Sequence, residues 1–176
     1  IPYVVQDLTD DKAALKLSLA RLRSGGETAL YDAVVAGIYK LQSLTGRKVL
    51  VVLSDGRDSR DTDPKKGSAF TLERTLEYAA HADVVIYFVG FNLDKKDDRL
   101  RTVFNELSRA TGGDAYYAPT TEELANAYAR INRELRAQYF LGYYSSSTST
   151  RISWRSIEVH VDRPGVTIRT RPGYYP

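Results

Sequence analysis

The chain contains no cysteine and no methionine, and only two histidines and one tryptophan, among its 176 residues. Without cysteine there are no disulfides and no thiolate metal sites, and the redox compartment stays open. Without methionine there is no initiator, so Ile1 is not a translation start and further polypeptide is expected before it. No apolar run approaches the roughly 18 residues of a membrane span, so no transmembrane segment is expected. No secretory signal is visible. His81 and His160 have no serine or cysteine nucleophile motif nearby, and a catalytic triad needs nucleophile, base and orienting acid together. Both read as surface or boundary residues. Gly25-Gly26-Glu27-Thr28 lacks the lysine and spacing of a phosphate-binding loop, and no G-x-G-x-x-G follows a strand. The chain is therefore expected not to be an enzyme.

What remains is a globular composition, 43% hydrophobic and 27% charged. A chain of this length buries roughly 70% of its unfolded surface, enough for one domain with a small appendage. The net charge is +3. Residues 139–176 carry five arginines (Arg151, Arg155, Arg163, Arg169, Arg171) against Glu158 and Asp162, so the whole excess lies there. These arginines are interleaved with Ile152, Ile157, Val159, Val161, Val166 and Ile168, as on the solvated face of a strand. No nucleic-acid partner is expected.

Periodicity divides the chain. Ile1–Asp7 reads as a strand, and Thr9-Asp10-Asp11 caps a helix with Leu15, Leu19 and Leu22 at helical spacing. Gly25-Gly26 stops it. A second helix starts near Ala29, carries Tyr31, Val34, Val35, Ile38 and Leu41 on one side, and ends at Thr45-Gly46. Lys48–Leu53 is a continuous apolar strand, expected to be buried on both faces. Residues 55–68 form a polar loop whose Asp58, Asp61 and Asp63 fail the EF-hand spacing, with Arg57 and Arg60 expected to neutralise the acids. A helix over Thr71–Ala82, a strand over Val84–Val89, and a helix with Leu100, Val103, Phe104 and Leu107 follow, closing at Gly112-Gly113. Ala115–Ala118 is a short strand. Thr120-Thr121-Glu122-Glu123 offers a capping box for a long helix with Leu124, Tyr128, Ile131 and Leu135.

Alternating strands and helices signal a parallel sheet flanked by helices. After Gln138 the pattern changes. Tyr139–Tyr144, Trp154–Asp162 and Gly165–Arg171 read as three antiparallel strands with no helix between them. This appendage is expected to pack on the main domain through Tyr139, Leu141, Trp154 and Ile157. Among the thirteen tyrosines, the doublets Tyr116-Tyr117, Tyr143-Tyr144 and Tyr174-Tyr175 each place one ring inward and one outward on a strand. The domains are thus residues 1–138 and 139–176.

Two segments carry chemistry. Gly25-Gly26-Glu27-Thr28-Ala29-Leu30-Tyr31-Asp32-Ala33 is a tight turn that delivers the Thr28 hydroxyl to a helix start. Val49-Leu50-Val51-Val52-Leu53-Ser54-Asp55-Gly56 is a buried strand with the Asp55 carboxylate at its carboxyl end. Hard oxygens at two loop tips on one sheet edge suit a magnesium or calcium ion. Each segment alone is also an ordinary turn.

The succession GGETALYDAV, GRKVLVVLSDGRD, VVIYFVGF, LSRATGGDAYY, INRELRAQYFLGYY and RTRPGYYP resembles the von Willebrand factor type A family. More narrowly, it is similar to the bacterial von Willebrand factor A-related branch of acidobacterial type, from Asp7 to Pro176. The resemblance implies a Rossmann-like, mostly parallel sheet flanked by helices, with the C-terminal antiparallel appendage. It implies a metal-ion-dependent adhesion site in which Thr28 and Asp55 match the second and third elements. The first element, D-x-S-x-S, is absent, and the chain opens where the family's third strand lies. The first strands of the family fold are therefore missing, and Mg2+ or Ca2+ is expected to bind weakly or not at all. The implied function is a non-enzymatic binding, adhesion or assembly module of a bacterial extracytoplasmic protein. The alternative is a structural subunit, without metal, whose sheet is completed by another chain or a cleaved N-terminal piece. Partners are then a protein ligand, a neighbouring subunit or the N-terminal piece of the same parent, with extracytoplasmic localisation.

Overall fold

The computed structural model describes residues 2–23, 25–93, 97–139, 141–145 and 153–175. Asp11 opens helix α1 (Lys12–Ala20) by accepting from the amides of Ala13 and Ala14. Helix α2 (Leu30–Gln42) leads into strand β1 (Val49–Ser54), and a 3-10 turn at Ser59–Asp61 follows. Thr71 caps α3 (Leu72–His81), which precedes β2 (Val85–Phe91). Asp97 caps α4 (Asp98–Ala110), and β3 (Ala115–Ala118) comes next. Thr120 caps α5 (Thr121–Ala137) by accepting from the Glu123 amide at 3.2 Å, while its hydroxyl donates to the Glu123 carboxylate. Two-residue strands β4 (Arg155–Ser156) and β5 (Gly173–Tyr174) complete the described elements.

Strands β1, β2 and β3 form a parallel sheet in that order, with Val49 opposite Val85 and Phe88 opposite Ala115. Helices cover both faces, an α/β arrangement compatible with a Rossmann-like fold. On one face Val34 and Ile38 of α2, Ala79 of α3, and Leu100, Phe104 and Leu107 of α4 close over Ile86 and Phe88. The Phe88 and Phe104 rings stack with centroids 4.6 Å apart. On the other face Ala127 and Ile131 of α5 cover Tyr87, Val89, Tyr116 and Ala118. The turn before β3 runs tight beneath β2: a Cβ on Gly113 would lie 1.9 Å from the Ile86 carbonyl oxygen.

Several expectations need correction. Residues 2–7 are not a strand, because extended backbone becomes a strand only by pairing and nothing pairs with it among the described residues. Helix α1 buries no residue, leaving Leu15, Leu17 and Leu19 exposed. Strand β1 is not buried on both faces: Val51 is 36% and Leu53 49% exposed, since β1 is a sheet edge. In the C-terminal segment β4 and β5 are the antiparallel pair, and the described part of Tyr139–Tyr144 carries no strand. Tyr139, Leu141 and Trp154 are exposed, and of the four expected anchors only Ile157 is half-buried. Docking runs instead through Tyr175, whose ring lies parallel to His81 at 4.1 Å with Trp154 edge-on to it. Arg171 adds a bond to the Ala80 carbonyl, and Arg169 reaches Asp114 and Glu134. Among the doublets, Tyr116 and Tyr117 pack on opposite faces of the sheet, while Tyr143 and Tyr144 are both exposed.

Candidate functional site

The loops at the carboxyl end of β1 are held by a set of carboxylates. Arg57 crosses to Asp97 at the start of α4, with Nε 2.7 Å from Oδ2 and Nη2 2.6 Å from Oδ1. This fork ties the loop after β1 to the loop after β2. It is not the neutralisation of nearby loop acids expected of Arg57. Arg60 likewise donates to the carbonyls of Pro64 and Ser68. The Arg57 guanidinium holds the Asp97 carboxyl below the ordinary carboxylate range.

Asp58 is the centre of the arrangement. Its buried carboxylate accepts from the amides of Tyr31 (3.0 Å), Arg60 (2.9 Å) and Ser68 (3.0 Å) and from the Ser68 hydroxyl (2.5 Å). Ala29, the residue before α2, offers no side-chain cap, so Asp58 satisfies one of the free amides of the helix's first turn. A negative charge there is also favoured by the helix dipole. Burial pushes the Asp58 carboxyl up, but the hydrogen bonds from Ser68, Arg60 and Tyr31 outweigh it and hold it below the ordinary range.

The neighbouring acids are engaged in the same way. Tyr31 donates its hydroxyl to both oxygens of Asp61, and Asp32 accepts from the Phe70 amide at 2.9 Å. Glu27 accepts from the Gly67 amide at 3.0 Å. Burial and the Asp61 carboxylate raise the Tyr31 phenol well above its usual value, so it stays a donor. Ser59 brackets Thr28: its hydroxyl accepts from the Thr28 amide at 2.9 Å, and its amide donates to the Thr28 carbonyl at 2.8 Å.

Thr28 and Asp55 themselves sit in these loops, Asp55 directly after Ser54 at the end of β1. Both are exposed, and neither side chain has a hydrogen-bond partner among the described residues. They are free hard-oxygen donors amid carboxylates that are otherwise spent. Among the described residues no cluster of three histidine or acidic side chains could hold a metal ion. Mg2+ is commonly held by one or two protein oxygens, with water and ligand oxygens filling its octahedron. The Thr28 hydroxyl and the Asp55 carboxylate are oxygen donors of the type such an ion takes.

No protein-family model and no curated protein sequence matches this chain. Sequence reasoning missed Asp58, Ser59 and Ser68 as organisers of the site. The signal was present in the polar loop after an apolar strand, but four acids within nine residues gave no ground for choosing between them.

Proposed function

We propose that this chain is a non-enzymatic binding or assembly module with a von Willebrand A-like fold, from a bacterial extracytoplasmic protein. It takes a protein ligand at the carboxyl edge of its sheet. A divalent ion, Mg2+ or Ca2+, bridges Thr28 and Asp55 to a carboxylate of the ligand. The observation that supports the reading is that the exposed Thr28 and Asp55 side chains have no hydrogen-bond partner among the described residues, while Glu27, Asp32, Asp58, Asp61 and Asp97 are all hydrogen-bonded. Such an edge has its framework satisfied and its two donors left over.

The test is a Mn2+ titration followed by NMR. Paramagnetic broadening is expected first at Thr28 and Asp55, reversed by chelator and lost in Asp55→Ala. Broadening that is unchanged in Asp55→Ala overturns the proposal. A second reading, a structural subunit without metal whose sheet is completed by another chain, is favoured by the outer edge of β1, with which no strand pairs among the described residues. Chelator separates the two, since strand pairing survives it.

A further inference from the structure

Helix α1 stands apart from the domain. No helix or strand packs against it among the described residues, and it buries no side chain. The polar contact that ties residues 2–23 to the rest of the chain is the ion pair between Asp7 and Lys40 of α2, both exposed. Leu15 and Leu19 lie one turn apart on α1, with Leu22 just past its end, and all three are exposed, Leu19 at 66%. Lys12 and Lys16 run one turn apart beside them, and Arg21 and Arg23 follow. From Lys12 to Gly26 there are these four cations and no acid. None of the four forms an ion pair among the described residues. The charges do not stabilise α1 from within. Lys12 and Lys16, four residues apart, repel each other, and Lys12 in the first turn opposes the helix dipole. Helices α4 and α5 differ, since each mixes acids with its arginines. Isolated helices shorter than about 12–15 residues are marginal in water. Helix α1 has nine residues. It therefore calls for a surface that covers leucine and also carries negative charge.

From this arrangement we infer that α1 is a membrane-surface helix, which lies on a bilayer containing anionic lipid. A basic helix with a leucine stripe and no acid is the composition such a surface takes. At 1.5 Å per residue α1 is about 14 Å long, under half the roughly 30 Å of a hydrocarbon core, so it lies on the bilayer and does not cross it. Leu15, Leu19 and Leu22 enter below the headgroups. Lys12, Lys16, Arg21 and Arg23 hold their charges at the phosphates while their stems cover the flank of the stripe. Tyr3, Val4, Val5 and Leu8, exposed ahead of α1, extend the same apolar arm. A contiguous exposed patch of this kind marks an interaction surface. A second copy of the chain does not fit the helix, because two such basic faces repel. A bilayer asks only for apolar area and charge, and those are what α1 presents. The arginines of the C-terminal segment are engaged elsewhere: Arg155 with Ser145, Arg169 with Asp114 and Glu134, and Arg171 with the Ala80 carbonyl.

The experiment is co-sedimentation of the full 176-residue chain with vesicles, in chelator. One set is phosphatidylcholine alone, the other equal parts phosphatidylcholine and phosphatidylglycerol. Binding is expected to the anionic set and to weaken steeply with salt. Each cation at such a surface contributes about fivefold in affinity, so Lys12→Gln/Lys16→Gln should bind about tenfold more weakly or worse. Leu15→Ser/Leu19→Ser should lose binding as well, which separates insertion from charge alone. Both variants should melt as wild type does, because α1 packs on no other element. Hydrogen exchange should slow across Lys12–Ala20 on the anionic vesicles and stay unchanged in β2. Arg163→Gln, Leu53→Ser and Asp55→Ala should bind like wild type. Equal binding to both vesicle sets, unchanged affinity in either double variant, or loss of binding in Arg163→Gln or Leu53→Ser overturns the inference. Binding to polyglutamate with none to vesicles also overturns it and assigns α1 to an acidic protein. The metal plays no part at this helix, so a chain that takes up no Mn2+ yet binds anionic vesicles brings down only the metal reading.

Discussion

The carboxylate of Asp58 caps helix α2 from 27 positions away, accepting the Tyr31 amide at 3.0 Å. The bond joins the glycine-led turn before α2 to the loop after β1, and Ser59 doubles it through Thr28. The two segments that carry free oxygens are therefore fastened by residues that do not themselves offer one.

Asp58→Ala should lower stability by about 2–4 kcal/mol, because it strands three buried or half-buried amides and removes a helix cap. Urea denaturation measures this directly. Asp55→Ala, at an exposed position without partners, should change stability by less than about 0.5 kcal/mol. Equal costs for the two would show that Asp58 is not the organiser.

Stability should also fall in acid. The folded-state pKa values of Asp58 and Asp97 lie below their unfolded values. Their contribution is therefore fully present above the unfolded value, near pH 4, and disappears as pH drops through the lower folded values. Melting temperature should be flat from pH 7 to about pH 5 and decline below about pH 4. In Asp58→Ala the decline should be shallower.

Gly113→Ala should cost about 3 kcal/mol or more, since its Cβ would meet the Ile86 carbonyl at 1.9 Å and neither backbone can retreat from the centre of the sheet. Circular dichroism melting reads the loss. A neutral result would mean that this turn has room to move away from β2.

Gly173→Ala places a methyl 2.3 Å from the Arg155 carbonyl and 2.5 Å from the Trp154 ring. It should release the β4–β5 pair while the parallel sheet stays folded. Emission from Trp154, the single tryptophan, should shift to the red with little change in the main melting transition. Trp154→Ala should weaken the same docking by about 1 kcal/mol through loss of its edge contact with Tyr175.

Much of the architecture is legible in short stretches of sequence. The four-residue strand at Ala115–Ala118, the stripe Leu100, Val103, Phe104 and Leu107, and the Thr120 cap are local signals, and each stands in the fold where its residues place it. Their physics acts over a few residues, through side-chain period and the free amides of a helix start. The loop positions of Thr28 and Asp55 follow from the same signals.

What only the tertiary structure decided involves partners distant in sequence. Lys48–Leu53 reads as a doubly buried strand, yet its burial depends on a neighbouring strand and a helix that the described residues do not provide on one side. Tyr139 and Leu141 have the composition of packed strand residues and are exposed for the same reason. Asp55 and Asp58 are indistinguishable as acids in one loop. One is buried beneath α2 and the other faces water, because the folded chain brings the Tyr31 and Ser68 amides to only one of them. Local sequence determined which segments are helices and strands, since those preferences are set within a turn or two. Tertiary structure decided which carboxylate holds the site together and which strand edge stays open, because both depend on groups brought together from distant parts of the chain.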